Sequence, residues 1–391
     1  MYDLKKIQKA IQKEQLDGWL FCNFQHRDSL TDSLLLLNST SVSSRRWFYH
    51  IPAHGIPLKI VHSIEQEILD SLEGDKIIYS TKVELVSILA LFAGQKTAVL
   101  VDHDIQILSS MDASSWNLLL DSKILTCTAA PLIQRIKGTL SPEDIKTHEF
   151  AADILYTLVS DSWQIVTKAF LQNNPVYEGD IQDFMLARFN QTGLITDHPP
   201  IVAAGKASGD PHYSVPGIPF TEKKRGNRLK KNDVVQFDLW AKQKNGIYAD
   251  ISWIGYCGTS IPKDVETAFT GVINARNLVI TKLQTAFAQN IAIVGAEIDA
   301  DVRSFLLSAF PSSAVRHRTG HGIDRECHGS GVNLDSVEFP DYRQIIEGSC
   351  FSVEPGLYFE TFGFRSEINI YILNNTPVVS GKKIQESFLI L

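Results

Sequence analysis

The strongest constraint on the fold is a pair of aspartates set inside an apolar strand pair. Val234-Val235-Gln236-Phe237-Asp238-Leu239-Trp240 alternates as a strand, with Gln236, Asp238 and Trp240 on one face. Asn245-Gly246 is a turn signal, and Ile247-Tyr248-Ala249-Asp250-Ile251 returns. The two aspartates stand 12 residues apart, so a hairpin centred near Lys244 sets them opposite each other on one face. On a solvated hairpin face such a pair needs nothing further. Here the neighbours are Val234, Val235, Phe237, Ile251, Trp253 and Ile254, and carboxylates in that setting need a cation.

Other polar motifs gather downstream. Arg316-His317-Arg318-Thr319-Gly320-His321-Gly322 is followed by His328, so three histidines fall within 12 residues around a glycine-rich turn. A lone histidine is an ordinary core or surface residue; three together point to a site. Cys327 beside His328 suggests a cysteine–histidine nucleophile pair, but neighbours in a strand face opposite ways, and the pair is set aside. Ser352-Val353-Glu354-Pro355-Gly356 ends a strand in a turn. Phe364 to Ile372 alternates again, with Arg365, Glu367 and Asn369 on one face. Taken singly, Glu367 pairs with Arg365 or faces water. Taken together, four carboxylates balance two divalent cations. Oxygen-rich ligands with one imidazole suit Mn²⁺, Fe²⁺, Co²⁺ or Zn²⁺. Two such ions roughly 3.5–4 Å apart hold a bridging hydroxide and polarise a carbonyl.

With 391 residues, 44% hydrophobic and 21% charged, the chain can build two domains with a core in each. A net charge of -7 leaves no basic surplus for nucleic acid. The five cysteines are scattered and show no C-x-x-C, which suits free thiols in a reducing compartment. The N-terminal MYDLKKIQKAIQKEQ reads as an amphipathic helix without a signal peptide's apolar core, and no apolar run approaches the roughly 20 residues of a membrane span. A cytoplasmic protein, off the membrane, is expected.

The first third alternates between helix and strand: a helix over 4–16, then strands Gly18 to Cys22, Trp47 to Ile51, Leu58 to Val61 and Thr97 to Val101. That pattern implies an α/β domain. A break follows near residue 140. Ser141 is a helix N-cap, Pro142 takes the first helical position, and Asp144 completes the cap. A long helix then opens an α+β domain, with further helices near 178–191, 262–288 and 296–309 and strand-rich stretches near 233–257 and 349–391.

The order Asp238, Asp250, His321, Glu354, Glu367 resembles the pita-bread-fold metallopeptidases of peptidase family M24, which include methionine aminopeptidase, aminopeptidase P, prolidase and creatinase. The flanking Pro211-His212-Tyr213, the His317/His321/His328 spacing, Glu354-Pro355-Gly356 and Arg365-x-Glu367 agree. The resemblance implies a creatinase-type α/β N-terminal domain over 1–138 and an α+β pita-bread catalytic domain over 139–391. It implies that Asp238 binds one metal, that Asp250 and Glu367 bridge both, and that His321 and Glu354 complete the other. Glu354 would shuttle a proton toward the leaving nitrogen. His212 and His328 would contact the substrate and stabilise the tetrahedral intermediate, His317 would line the proline pocket, and Arg365 would support Glu367. The cofactor would be two divalent ions, with Mn²⁺ favoured and Co²⁺, Zn²⁺ or Fe²⁺ as alternatives. The implied activity is hydrolysis of small peptides at Xaa-Pro bonds by a metal-bridging hydroxide, in a homodimer.

Three positions depart from the family pattern. Trp253 replaces the usual arginine, Gly329 a usual acid, and Ile368 a usual aspartate. Two other readings follow from the same fold: a metal-dependent hydrolase or lyase of a non-peptide substrate, and a non-catalytic peptide- or histone-binding member. Such binding members typically lose ligands, and this chain keeps all five positions. Trp47, His50 and His54 are candidates to shape the pocket of a neighbouring subunit.

Overall fold

The computed structural model describes residues 3–105, 108–222 and 224–391. By contacts the chain divides into two compact units, Met1–Lys137 and Gly138–Leu391. The first runs α1 (Leu4–Lys13), β1 (Gly18–Asn23), α2 (Ser29–Leu35), β2 (Trp47–Pro52), β3 (Leu58–His62), β4 (Asp75–Tyr79), α3 (Lys82–Leu89), β5 (Lys96–Val99), α4 (Ala113–Asp121), β6 (Leu125–Thr128) and α5 (Ala130–Ile136). Its strands form one mixed sheet in the order β4-β3-β2-β1-β5-β6. Every residue of the central β1 is buried, which explains its continuous apolar run. The sequence reading omits β4, α3, β6 and the short α2, α4 and α5. The reason is visible in β4, where Asp75 and Lys76 are exposed and the apolar signal is weak. Trp47 and His50, expected to serve a neighbouring subunit, are only 1% and 5% exposed, so their side chains belong to this unit's own core. His54 alone of the three is exposed.

The second unit opens with α6 (Pro142–Leu171), started by the Ser141/Asp144 capping box. It continues through α7 (Glu178–Thr192), β7 (Leu194–Ile195), β8 (Ile201–Ala204), β9 (Val234–Gln243), β10 (Ala249–Tyr256), α8 (Lys263–Ala288) and α9 (Gly295–Leu307). It closes with β11 (Cys350–Val353), β12 (Gly356–Tyr358), β13 (Gly363–Arg365), β14 (Ile368–Leu373), β15 (Thr376–Val379) and β16 (Leu389–Ile390). One sheet has the order β16-β10-β9-β7 with β8 also on β9; β11-β14-β15 and β12-β13 form two smaller ones. Strand alternation sorts the β9–β10 hairpin into two faces. Val235, Phe237, Leu239 and Ile251 pack with Leu155, Val159 and Val166 of α6. Asp238, Trp240 and Asp250 point away from that core into a cavity of about 400 Å³.

The stretch Phe364 to Ile372, expected as one strand, is two. Arg365 ends β13 against Gly356, and Ile368 starts β14 against Val353. The break leaves Glu367 free to bridge to Ser252 of β10, which ties the small sheets to the main one at the site.

Candidate metal centre

Asp238 and Asp250 come from β9 and β10, His321 from the loop after α9, Glu354 from the end of β11, and Glu367 from the gap between β13 and β14. Asp250, His321 and Glu367 are buried, and their ligand atoms all lie within 4.8 Å of one another. His321 Nε2 stands 3.6 Å from Asp250 Oδ2 and 3.5 Å from Glu354 Oε1. Gly320 lets His321 approach, since a Cβ there would meet the Ser352 carbonyl oxygen at 2.0 Å.

The hairpin register corrects the expected one. Asp238 pairs with Ser252, and Asp250 with Trp240. The register places the hairpin centre at Asn245, one residue beyond the expected Lys244. The aspartates are therefore diagonal neighbours, not opposed. A slip of two residues keeps both on the same face. It also brings Ser252 between two acids: its hydroxyl oxygen lies 2.9 Å from Asp238 Oδ1 and 2.8 Å from Glu367 Oε2.

Burial, and then the Asp238 charge, raise the carboxyl of Asp250 above the ordinary range. Burial, and then Asp250 and Glu354, raise Glu367. The Ser252 contacts agree, because one hydroxyl proton cannot serve two carboxylates. With Glu367 protonated, its O–H donates to Ser252 and Ser252 donates to Asp238. Even so, Asp250 Oδ1 and Glu367 Oε1 remain buried without a hydrogen-bond partner. Orphaned buried carboxylate oxygens are costly, and a cation satisfies them without protons. Burial lowers the His321 pKa and favours the neutral, ligating imidazole. The donor set therefore fits divalent ions.

Arg365 differs from expectation. Its guanidinium contacts Asp238 Oδ2 most closely, with Nε 3.7 Å from Glu354 and 3.9 Å from Glu367. Although β13 ends at Arg365, its side chain and that of Glu367 line the same cavity. Burial would lower its pKa, but the surrounding acids, Asp238 first, hold it well above the usual value.

His212, His317, His328 and Arg318 line the cavity with the acids. His317 Nδ1 is 2.6 Å from the Arg318 carbonyl oxygen, so it carries the proton, and Nε2 accepts from Tyr358 Oη at 2.7 Å. Burial, then Arg365, lower its pKa to about 4. Both ring nitrogens are engaged, so His317 offers a substrate its ring face only. His328 lies 4.3 Å from the His321 ring, and the cost of protonating two imidazoles side by side, then burial, lower its pKa to about 4. Cys327 and His328 lie in no strand, and both line the cavity, so strand alternation is the wrong reason to separate them. The nucleophile reading fails on other grounds. Burial, then Asp250, push the thiol well above its ordinary pKa, and thiolate is the reactive form.

Sequence reasoning missed four supporting side chains: Ser252, Tyr358, Gln236 and Asn369. Asn369 accepts from the Asp250 backbone N–H at 2.8 Å and donates to the Asp250 carbonyl at 2.6 Å, taking the place of a paired strand. Gln236 likewise accepts from the Arg365 backbone N–H at 2.9 Å. The signal was polar residues alternating inside apolar strands. Asn369→Ala is expected to lower stability by about 1–3 kcal/mol, because it strands a buried N–H and C=O; urea unfolding measures it.

The model of metallopeptidase family M24 matches residues 153–374. The chain belongs to that family. It is similar to the Xaa-Pro dipeptidase of Lactobacillus helveticus, 27% identical over 252 residues, which is 62% of this chain and 59% of that protein. The match thus spans less than two thirds of that relative. Among solved structures it is similar to dipeptidase PepE of Mycobacterium ulcerans, with a TM-score of 0.70 and 18% identity over 99% of this chain and 96% of that one. It is also similar to the N-terminal domain of FACT complex subunit SPT16 of Cicer arietinum, with a TM-score of 0.61 and 13% identity over 97% of each. The fold alone therefore does not fix an activity.

The departures of this M24 chain have local explanations. In the antiparallel Ser252–Glu367 bridge, Trp253 falls opposite Ser366 and Ile368 opposite Ile251, and the two side chains pack in different cores. The usual arginine and the usual aspartate are missing together. Trp253 instead packs edge-on against Tyr156 at 5.5 Å, and Ile368 is 1% exposed. Each apolar side chain spares its own core a buried charge. At Gly329 a Cβ would meet the Asp324 backbone N at 2.7 Å and its Cγ at 2.8 Å, so no acid fits there.

Proposed function

We propose that this protein is a metallopeptidase that hydrolyses small peptides, with Xaa-Pro bonds as the preferred target. The observation that carries the reading is the pair of orphaned buried oxygens, Asp250 Oδ1 and Glu367 Oε1, beside a neutral imidazole. Asp238, Asp250, His321, Glu354 and Glu367 would hold two divalent ions, with Mn²⁺ favoured. When bound, such ions supply Lewis-acid polarisation of an amide carbonyl and a water of lowered pKa. Glu354, 13% exposed at its side chain where the other acids are nearly sealed, is placed to take a proton from water and pass it to the leaving nitrogen. His212 and His328 would position the scissile amide, and the His317 ring would form an apolar wall for proline. The named activity of the Lactobacillus relative supports the proline preference.

The test is direct. The purified protein is assayed for bound metal, reloaded with Mn²⁺, and offered Xaa-Pro dipeptides, longer Xaa-Pro peptides and proline-free controls. Two ions per chain and selective Xaa-Pro cleavage are expected. Metal without peptide cleavage would move the reading to a non-peptide substrate. Neither metal nor cleavage would move it to a binding member of the fold, against which the orphaned oxygens argue. Among the described residues no helix is long and apolar enough to cross a membrane. A cytoplasmic homodimer is our reading of the assembly, and light scattering after size exclusion checks the dimer.

A further inference from the structure

Among the described residues that line the cavity, Cys327 touches an acid of the centre yet is neither a candidate ligand nor a positive charge. Its Sγ lies 3.1 Å from Asp250 Oδ2. The other oxygen of the same carboxylate, Oδ1, is buried without a partner, and Asp250 itself is 5% exposed. The two oxygens thus have different surroundings. Oδ2 accepts from the thiol, with the His321 ring nitrogen further off at 3.6 Å, while Oδ1 has no hydrogen-bond donor.

We propose that Cys327 is a positioning residue for metal binding: its S–H holds Asp250 Oδ2 and so fixes the carboxylate plane with Oδ1 presented to a cation. This rests on the metal-centre reading above. A thiol suits the role because it is a weak donor. It orients the oxygen without drawing away the electron density a cation needs, whereas an arginine at this point would compete for it. The backbone of Asp250 is clamped by Asn369, so the side-chain torsions are what remains to be set, and Cys327 sets them. The thiol also packs with Ile247, Tyr248, Ile323 and Cys350. A purely space-filling role is therefore the competing explanation, and the experiment must separate the two.

Cys327→Ala, Cys327→Val and Cys327→Ser are compared with the wild type for Mn²⁺ affinity by calorimetry and for melting of the metal-free protein. Supporting contacts to metal ligands are typically worth about 10–100-fold in affinity. Loss of about tenfold or more is expected in the alanine and valine variants, with serine restoring the affinity to within about threefold. A space-filling role would lower the melting temperature of the metal-free variants and leave Mn²⁺ affinity unchanged, which would overturn the proposal. A second readout needs no metal. The infrared S–H band that disappears in Cys327→Ala should shift in metal-free Asp250→Asn; an unmoved band shows there is no contact and also overturns it. Wild-type protein that takes up no Mn²⁺ would overturn the metal-centre reading itself. Normal wild-type loading with unchanged variants would remove only the part played by Cys327.

Discussion

Asp250→Ala is expected to lower kcat/KM for Xaa-Pro cleavage by at least about a thousandfold and to prevent loading of the second ion. The size follows from the role. A Lewis-acid pair contributes several kcal/mol of transition-state stabilisation, and each 1.4 kcal/mol is a factor of ten. Asp250 lies within 4.8 Å of ligand atoms from both His321 and Glu367 and carries an orphaned oxygen. Removing it opens the link between the two halves of the site. The fold should survive, because Asn369 holds the Asp250 backbone rather than its side chain. Circular dichroism should therefore match the wild type while bound metal, measured by mass spectrometry, falls to one ion or none. Full activity in this variant would remove the metal assignment altogether.

What the sequence could and could not show divides along physical lines. Alternation in β9 and β10 correctly put Asp238, Asp250 and Trp240 on one face, because face depends only on parity. It did not yield the register, because that depends on the length of the turn. The five-residue turn over 244–248 moved each partner by two places. The same limit explains Arg365. A local pattern continued the strand through Glu367, whereas pairing with two different partners, Gly356 and Val353, splits it. Ser252, Asn369 and Tyr358 act through tertiary contacts across 115, 119 and 41 positions of chain, and a polar side chain in an apolar strand does not name its partner. The capped start of α6 at Ser141 was legible because a capping box is complete within four residues. Trp47 and His50 show the converse: a hairpin predicts that side chains alternate, but not that both faces of β2 are covered.

Removing the metal should weaken the fold, and the loss should grow as the pH rises. A ligand at 100 times its Kd stabilises the folded state by about 2.7 kcal/mol, so two well-filled sites account for about 5 kcal/mol. Chelation removes that contribution and exposes the mutual repulsion of four carboxylates. The pH direction follows from the raised acids. Asp250 is pushed up to about 7 by burial and then by Asp238, and Glu367 is raised as well by burial and then by Asp250. An unfolded carboxyl titrates near ~4. The folded, metal-free state therefore binds more protons than the unfolded state between about 4 and 7. Stability from these groups is present in full below the unfolded value and is lost as the pH rises through the folded one. Chelated protein should accordingly melt higher at mildly acidic than at mildly alkaline pH, whereas the metal-loaded protein, whose acids are held ionised by the cations, should not follow that slope. Glu367→Gln supplies the control. It removes one buried acid, so the chelated variant should melt above the chelated wild type and lose the part of the pH dependence that Glu367 contributes, while the Asp250 part remains. The same variant should bind the second ion poorly, so a substitution that strengthens the empty fold disables the centre. Differential scanning calorimetry across that pH range, with and without chelator, measures all four melting temperatures. A chelated wild type that becomes more stable as the pH rises would show that the acids are not buried together in the way the site requires.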